Sequence, residues 1–289
     1  MQSTHLKPWT TTYDDMVFTS EVSIGVRRSP MEALDVALSR LHTPLEVPRH
    51  PTQVLIKPSI YDPKLVGNTH VTVVKAVLNA FKTLGPAVIV ESDNSRRRAT
   101  DAFQQSGYDA LSNLDVSLVN LSELDTTMVK MPGHFFKEHR MPTILTEEHF
   151  FINMPTVKLE RDICTIGAGI KNLFGLIPEV EKSVYHQRIE DVLMDLLAVF
   201  RPQMTIVDLT SLVIGDRADE VTKEIGAIVV GTDPVAVDAF CADLLGVDAT
   251  TVLHLRRAYE LGLGEIVLDR IRVSGTATQK QKLLEACKH

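Results

Sequence analysis

An α/β fold, a largely parallel sheet covered by helices, is what this sequence predicts, on three observations. Short apolar runs of strand length alternate with segments whose apolar residues recur at helical spacing. Several of those runs end in a polar residue and a turn, as strands do where they feed helix starts. A chain of 289 residues, 44% apolar and 23% charged, also supplies the core that one large domain requires. The expectation is a single domain over residues 1–289, with a division into two lobes near residue 125 as the alternative.

The elements follow in order. "VFTSEVSIGVR" reads as an outer strand and "SPMEALDVALSRLH" as the first helix. "QVLIKP" is a buried strand, followed by the turn-rich "SIYDPKLVGN". In "THVTVVKAVLNAFKTLG" the apolar spacing is helical, with Asn68 or Thr69 as cap and Gly85 past the end. "PAVIVES", "DVSLVNLS", "HFFINMP", "MTIVDLT", "EIGAIVVGTD" and "RIRVSG" read as strands. "SRRRATDAFQQSG", "RIEDVLMDLLAVF", "PVAVDAFCADLLG", "TTVLHLRRAYELGLG" and "QKQKLLEACKH" read as helices. Asp233 is placed to cap the third of these, with Pro234 at its first position, where a missing N–H costs nothing.

Composition excludes several classes. A formal charge of −7 gives no electrostatic case for nucleic acid or an anionic membrane. No apolar run approaches a membrane span, and "MQSTHLKPWTTTYDD" lacks a secretory pattern, so the cytoplasm is the expected location. Three scattered cysteines, Cys164, Cys241 and Cys287, make no self-contained iron–sulfur or zinc site. Cys164 reads as packing. His134, His139 and His149 show no ligand spacing, so no metal ligand is assigned.

The chemistry collects where the predicted strands end, the edge at which open parallel sheets bind ligands. Lys57, Glu91 with Asp93, Asn153, Asp208 and Asp233 all stand there. Each has a plain structural alternative: Asp233 as a cap, Asp208 as a turn stabiliser, and "SRRR" as a solvated helix start. The densest segment is "VKLERDICTIGAGIKNLFGLIPEVEKSVYH". Gly167 and Gly169 in it permit positive φ and a turn whose N–H groups nest an anion. Lys158 and Lys171 bracket that turn, Asn172 follows, and His186 is placed to move a proton. The segment matches neither the Walker A loop nor G-x-G-x-x-G.

"VLIKPSI", "FINMPTVK", "GAGIKNLFGLIP", "KSVYH", "PQMTIVDLT" and "GTDPVAVDAFCADLLG" together resemble the domain-of-unknown-function family 362, with matches in order from about residue 50 to 266. The resemblance implies an α/β domain, in many members fused to ferredoxin-like iron–sulfur segments. It draws attention to Lys57, Asn153, Pro155, Lys158, Lys171, Asn172, Phe174, Gly175, His186, Asp208 and Asp238. In two places the chain departs from the family: "KLE" stands where a histidine commonly follows Lys158, and "LTSLVIGD" replaces a glycine-rich segment.

The leading expectation is an enzyme acting on a small carboxylate- or phosphate-bearing metabolite by lysine/histidine acid–base or redox chemistry. His186, Lys171, Lys158 and Asp238 are its catalytic candidates; Lys57, Asn153, Gly167, Gly169, Asn172 and Asp208 are its substrate-binding candidates. Lys57, Lys158 and Lys171 are expected to rim one cleft around the glycine bend. Two alternatives are a non-catalytic partner or carrier in iron–sulfur and redox cofactor metabolism, its cluster supplied by a partner protein, and a magnesium or manganese enzyme using Glu91, Asp93, Asp208 and His186. The cofactor is left unassigned.

Overall fold

The structure, a computed structural model, describes residues 18–48, 51, 53–160, 163–215 and 217–287, so the stretch read for a leader lies outside the described residues. The chain begins with β1 (Ser20–Val26), α1 (Pro30–Arg40), β2 (Val54–Pro58), α2 (Val71–Phe81), β3 (Ala87–Glu91), α3 (Ala99–Gln105) and β4 (Val116–Asn120). A small hairpin, β5 (Thr126–Lys130) and β6 (Glu138–Pro142), precedes β7 (Phe150–Met154). Then come β8 (Lys158–Glu160), β9 (Thr165–Gly167), the single-turn α4 (Gly169–Asn172) and α5 (Ile189–Val199). The chain closes with β10 (Met204–Val213), β11 (Thr222–Gly231), α6 (Pro234–Leu244), α7 (Leu253–Glu260), β12 (Ile271–Ser274) and α8 (Ala277–Cys287).

Eight strands form one sheet in the order β12-β1-β11-β10-β7-β2-β3-β4. All run the same way except β11, which is antiparallel to both of its neighbours. The α/β class therefore holds. The reversal of β11 was invisible in its apolar run, because buried strands of either direction look alike. The anticipated lobe boundary near residue 125 falls just before β5, and strands from both sides of it share the main sheet.

Alternation along each strand divides the core between two faces. Val54, Ile56, Ile89 and Ile152 pack with α1, α2 and α3. Leu55, Val88, Val90, Phe151 and Val229 pack with the helices from α4 onward. Lys57 therefore falls on the second face, one step beyond Leu55, where the 169–188 segment covers the sheet edge. The cap of α2 is His70, whose ring Nδ1 accepts from Thr72 N, and neither Asn68 nor Thr69 takes that position. Asp233 caps α6 through Val235 N and Ala236 N, as its position in the sequence indicates.

Candidate functional site

At the carboxyl ends of β2 and β3, a buried lysine and a buried glutamate meet. Lys57 Nζ lies 2.8 Å from Glu91 Oε2, with side-chain exposures of 1% and 4%. The same ammonium donates to Pro58 O at 2.7 Å. Glu91 also accepts from Ile60 N and Ser92 N. Burial depresses the Lys57 pKa, opposed by Glu91 and reinforced by Arg97 and Lys171.

Two further cations converge on this pair. Arg97, read as part of a solvated helix start, turns inward instead: its Nη2 is 3.7 Å from Glu91. Arg97 also donates to the carbonyls of Ser92, Ile60 and Tyr61. Arg96 and Arg98 remain exposed and pair with Asp62 and Glu123. Lys182 is buried, and its Nζ donates to Ser92 Oγ at 2.6 Å and Asp93 O at 2.7 Å. Burial lowers its pKa to about 8, with Glu91 opposing and Lys57 and Arg97 assisting. Among the described residues Lys182 has no ion-pair partner, so three buried cations share one buried carboxylate, Glu91. Asp93 is turned away, accepting from Ala99 N and Asn120 Nδ2.

Sequence reasoning missed Lys182 and the inward turn of Arg97. Arg97 bridges the carbonyls that follow β2 and β3, Lys182 docks on Ser92 Oγ and Asp93 O just after β3, and no local pattern records either contact.

The glycine segment closes over this cluster. Asn172 Nδ2 donates to Lys57 O at 3.1 Å and Asn153 Oδ1 at 2.8 Å, while Asn153 Nδ2 donates to Gly169 O. Ser92 Oγ donates to Gly175 O. A Cβ on Gly175 would lie 2.7 Å from Lys57 Nζ, so only glycine lets the chain pass so close. At the surface, Lys171 Nζ lies 4.6 Å from the centre of the Phe174 ring, and the exposed His186 stacks on the same ring at 5.3 Å. The structure thus brings Lys57, Asn153, Gly169, Asn172 and Lys171 together, with His186 beside them.

Four expectations need correction. Neither Gly167 nor Gly169 has positive φ: Gly167 lies in β9 opposite Lys158, and Gly169 is required for close packing, because a Cβ would stand 2.8 Å from Asp238 Oδ1. The anion nest exists but is filled from within. Gly169 N and Ile170 N donate to the two carboxylate oxygens of Asp238 at 2.7 and 2.8 Å. Asp238 is wholly buried and holds the bend rather than reaching a substrate. Asp208 accepts from His70 N and from Thr210 N and Oγ1, tying β10 to the start of α2 in place of a ligand. Finally, no single cleft gathers the lysines: Lys158 is buried and donates to Thr156 Oγ1. Cavities of about 220 and 350 Å³ lie elsewhere, against Glu21 and His42 and against Tyr108 and Leu111.

The four residues of the metal alternative are likewise committed to other partners, and no metal-holding group of three His, Cys, Asp or Glu side chains exists among the described residues. Cys164, Cys241 and Cys287 are buried, and none is in a disulfide among the described residues. Among the described residues no helix is long and apolar enough to cross a membrane.

Asp238 gives the site a pH signature. Burial raises its pKa to about 7, although the two N–H bonds pull the other way. A raised folded-state value means that the contribution is fully present below the unfolded pKa near 3.8 and is lost as pH rises through 7. Denaturant unfolding across that window is expected to show a loss of a few kcal/mol, at about 1.4 kcal/mol per pKa unit. Asp238→Asn, which cannot ionise, should flatten this slope.

The chain is 24% identical over 229 residues to a thylakoid-associated protein of Synechocystis sp., covering 73% of this chain and 68% of that protein. Its fold is similar to the lactate racemase apoprotein of Thermoanaerobacterium thermosaccharolyticum, with a TM-score of 0.50 and 11% identity. That match covers 78% of this chain and only 57% of the racemase chain. Residues 54–243, which carry the Lys57–Glu91 pair, the glycine segment and Asp238, match the model described as Domain of unknown function (DUF362), and the chain belongs to that family.

Proposed function

We propose that the protein is an enzyme acting on a small carboxylate- or phosphate-bearing metabolite bound at the sheet edge beneath Phe174. The observation that carries this reading is the charge imbalance: Lys57, Arg97 and Lys182 are buried around the one carboxylate of Glu91. Uncompensated buried charge is costly, and a bound anion relieves that cost. Lys171 and His186, packed on the Phe174 ring at the surface, are the groups available to bind the outer part of the ligand and move its proton. Asn153, Asn172, Gly169 and Asp238 keep this surface in register with the buried cations.

The racemase apoprotein with a similar fold is named for a small hydroxy acid, an anion of the proposed class. At 11% identity that likeness supports the architecture alone. A thermal-shift screen of carboxylates and phosphates tests the reading, since a ligand that binds only the folded chain raises Tm. At least one small anion should raise Tm in a saturable manner, and turnover of that compound should fall at least tenfold in Lys171→Met, a loss of about 1.4 kcal/mol or more of transition-state stabilisation. If neither class of anion shifts Tm, the reading fails.

A further inference from the structure

Lys182 comes from an exposed turn, between Glu181 and Ser183, yet its head is buried and, among the described residues, hydrogen-bonds only to uncharged oxygens. The charged groups around it are Glu91 on β3, Lys57 on β2, Arg97 ahead of α3, and Glu179 just before it in its own segment. None of them forms an ion pair with it. A lysine that served only to tie two loops would gain most from a carboxylate partner. The burial of Lys182, with Lys57 and Arg97 nearby, favours the neutral, nucleophilic amine against the opposing charges of Glu91 and Glu179. Ser92 Oγ, 2.6 Å from the Nζ, places a hydroxyl beside any carbonyl that reacts there.

We infer that, within the anion site proposed above, Lys182 is a nucleophilic amine that takes a 2-oxo acid as an imine, with the acid's carboxylate held in the field of Lys57 and Arg97. The step balances without an oxidant or reductant. The ammonium gives one proton to solvent, and the amine lone pair forms a C–N bond to the carbonyl carbon. The carbonyl oxygen then leaves as water with the two remaining amine hydrogens. The resulting imine withdraws electrons from the neighbouring carbon, as activation of a 2-oxo acid for proton transfer requires.

The experiment incubates the full chain with pyruvate and then adds borohydride, whose hydride reduces the imine carbon and fixes the adduct. Mass spectrometry is expected to show a single adduct per chain, and peptide mapping should place it on Lys182. Lys182→Arg, which keeps a positive charge but offers no nucleophilic amine, should abolish the adduct. An adduct on another lysine, or one that persists in Lys182→Arg, overturns the assignment; the mapping in the unaltered chain decides even if that variant folds poorly. A pyruvate-dependent rise in Tm without any adduct defeats the imine and leaves the anion site standing. No rise and no adduct defeats the imine, and the anion site falls with it only if the screen of carboxylates and phosphates is also blank.

Discussion

Replacing Lys57 with methionine is expected to lower the unfolding free energy by about 3–5 kcal/mol, the usual cost of removing one partner of a buried ion pair. Methionine fits the space, so packing changes little, and the effect isolates the charge left on Glu91. Arg97 does not take over. It stands 3.7 Å from Glu91, and it is held there by the backbone carbonyls of Ser92, Ile60 and Tyr61. The double variant Lys57→Met/Glu91→Gln should recover little of the loss, because it leaves Arg97 and Lys182 buried with no carboxylate between them. Guanidinium unfolding of the three proteins measures both effects. A single variant within 1 kcal/mol of the parent would mean that the pair is not closed in solution.

Asp195→Ala should cost a comparable amount by a different route. The Asp195 carboxylate is wholly buried on α5 and accepts four backbone N–H bonds, from Gly133 and His134 on one oxygen and Phe135 and Phe136 on the other, at 2.7–3.2 Å. Removing it strands four donors, that of Phe136 fully buried and the others partly so, at up to about 1–3 kcal/mol each, partly offset as the loop opens to water. About 3 kcal/mol of net loss is expected, with fast hydrogen exchange at those four amides. The consequence reaches the site, because Phe135 and Phe136 pack edge-on against Tyr185, next to His186. Exchange rates unchanged from the parent would show that the loop holds itself.

The contrast between these residues shows what the sequence carries. The buried strands announce themselves by composition, and their polar ends locate the chemical edge of the sheet before any coordinates. Lys57 is readable because a lysine directly after "VLI" has nowhere to go but inward. Asp195 left a signal too, a lone carboxylate inside the apolar "LMDLLAV" face, which passed for an ordinary amphipathic helix position. Lys182 left none: "PEVEKSV" reads as solvated surface, and only the tertiary packing that brings it onto Ser92 and Asp93, past the end of β3, draws its head inside. The hairpin of β5 and β6 escaped because "TTMVK" and "EHRMP" do not alternate cleanly. The glycine bend reads as a turn that nests a ligand anion, but its N–H groups are taken by the chain's own Asp238, supplied from α6 by tertiary structure. Local pattern thus finds the groups, while three-dimensional packing decides which of them neutralise one another.

The central claim is that Lys57, Arg97 and Lys182 form a cationic cluster completed by a small anion, and titration of Lys182 tests it most directly. In carbon-13 lysine-labelled protein, with the Lys182 Cε signal assigned by its loss in Lys182→Arg, the midpoint without ligand should lie at about 8, below the ordinary 10.5. Saturating acetate or inorganic phosphate should move it upward, because a neighbouring negative charge favours the ammonium. A midpoint near 10.5 in the free protein, or one that stays fixed while an anion raises Tm, would contradict the account.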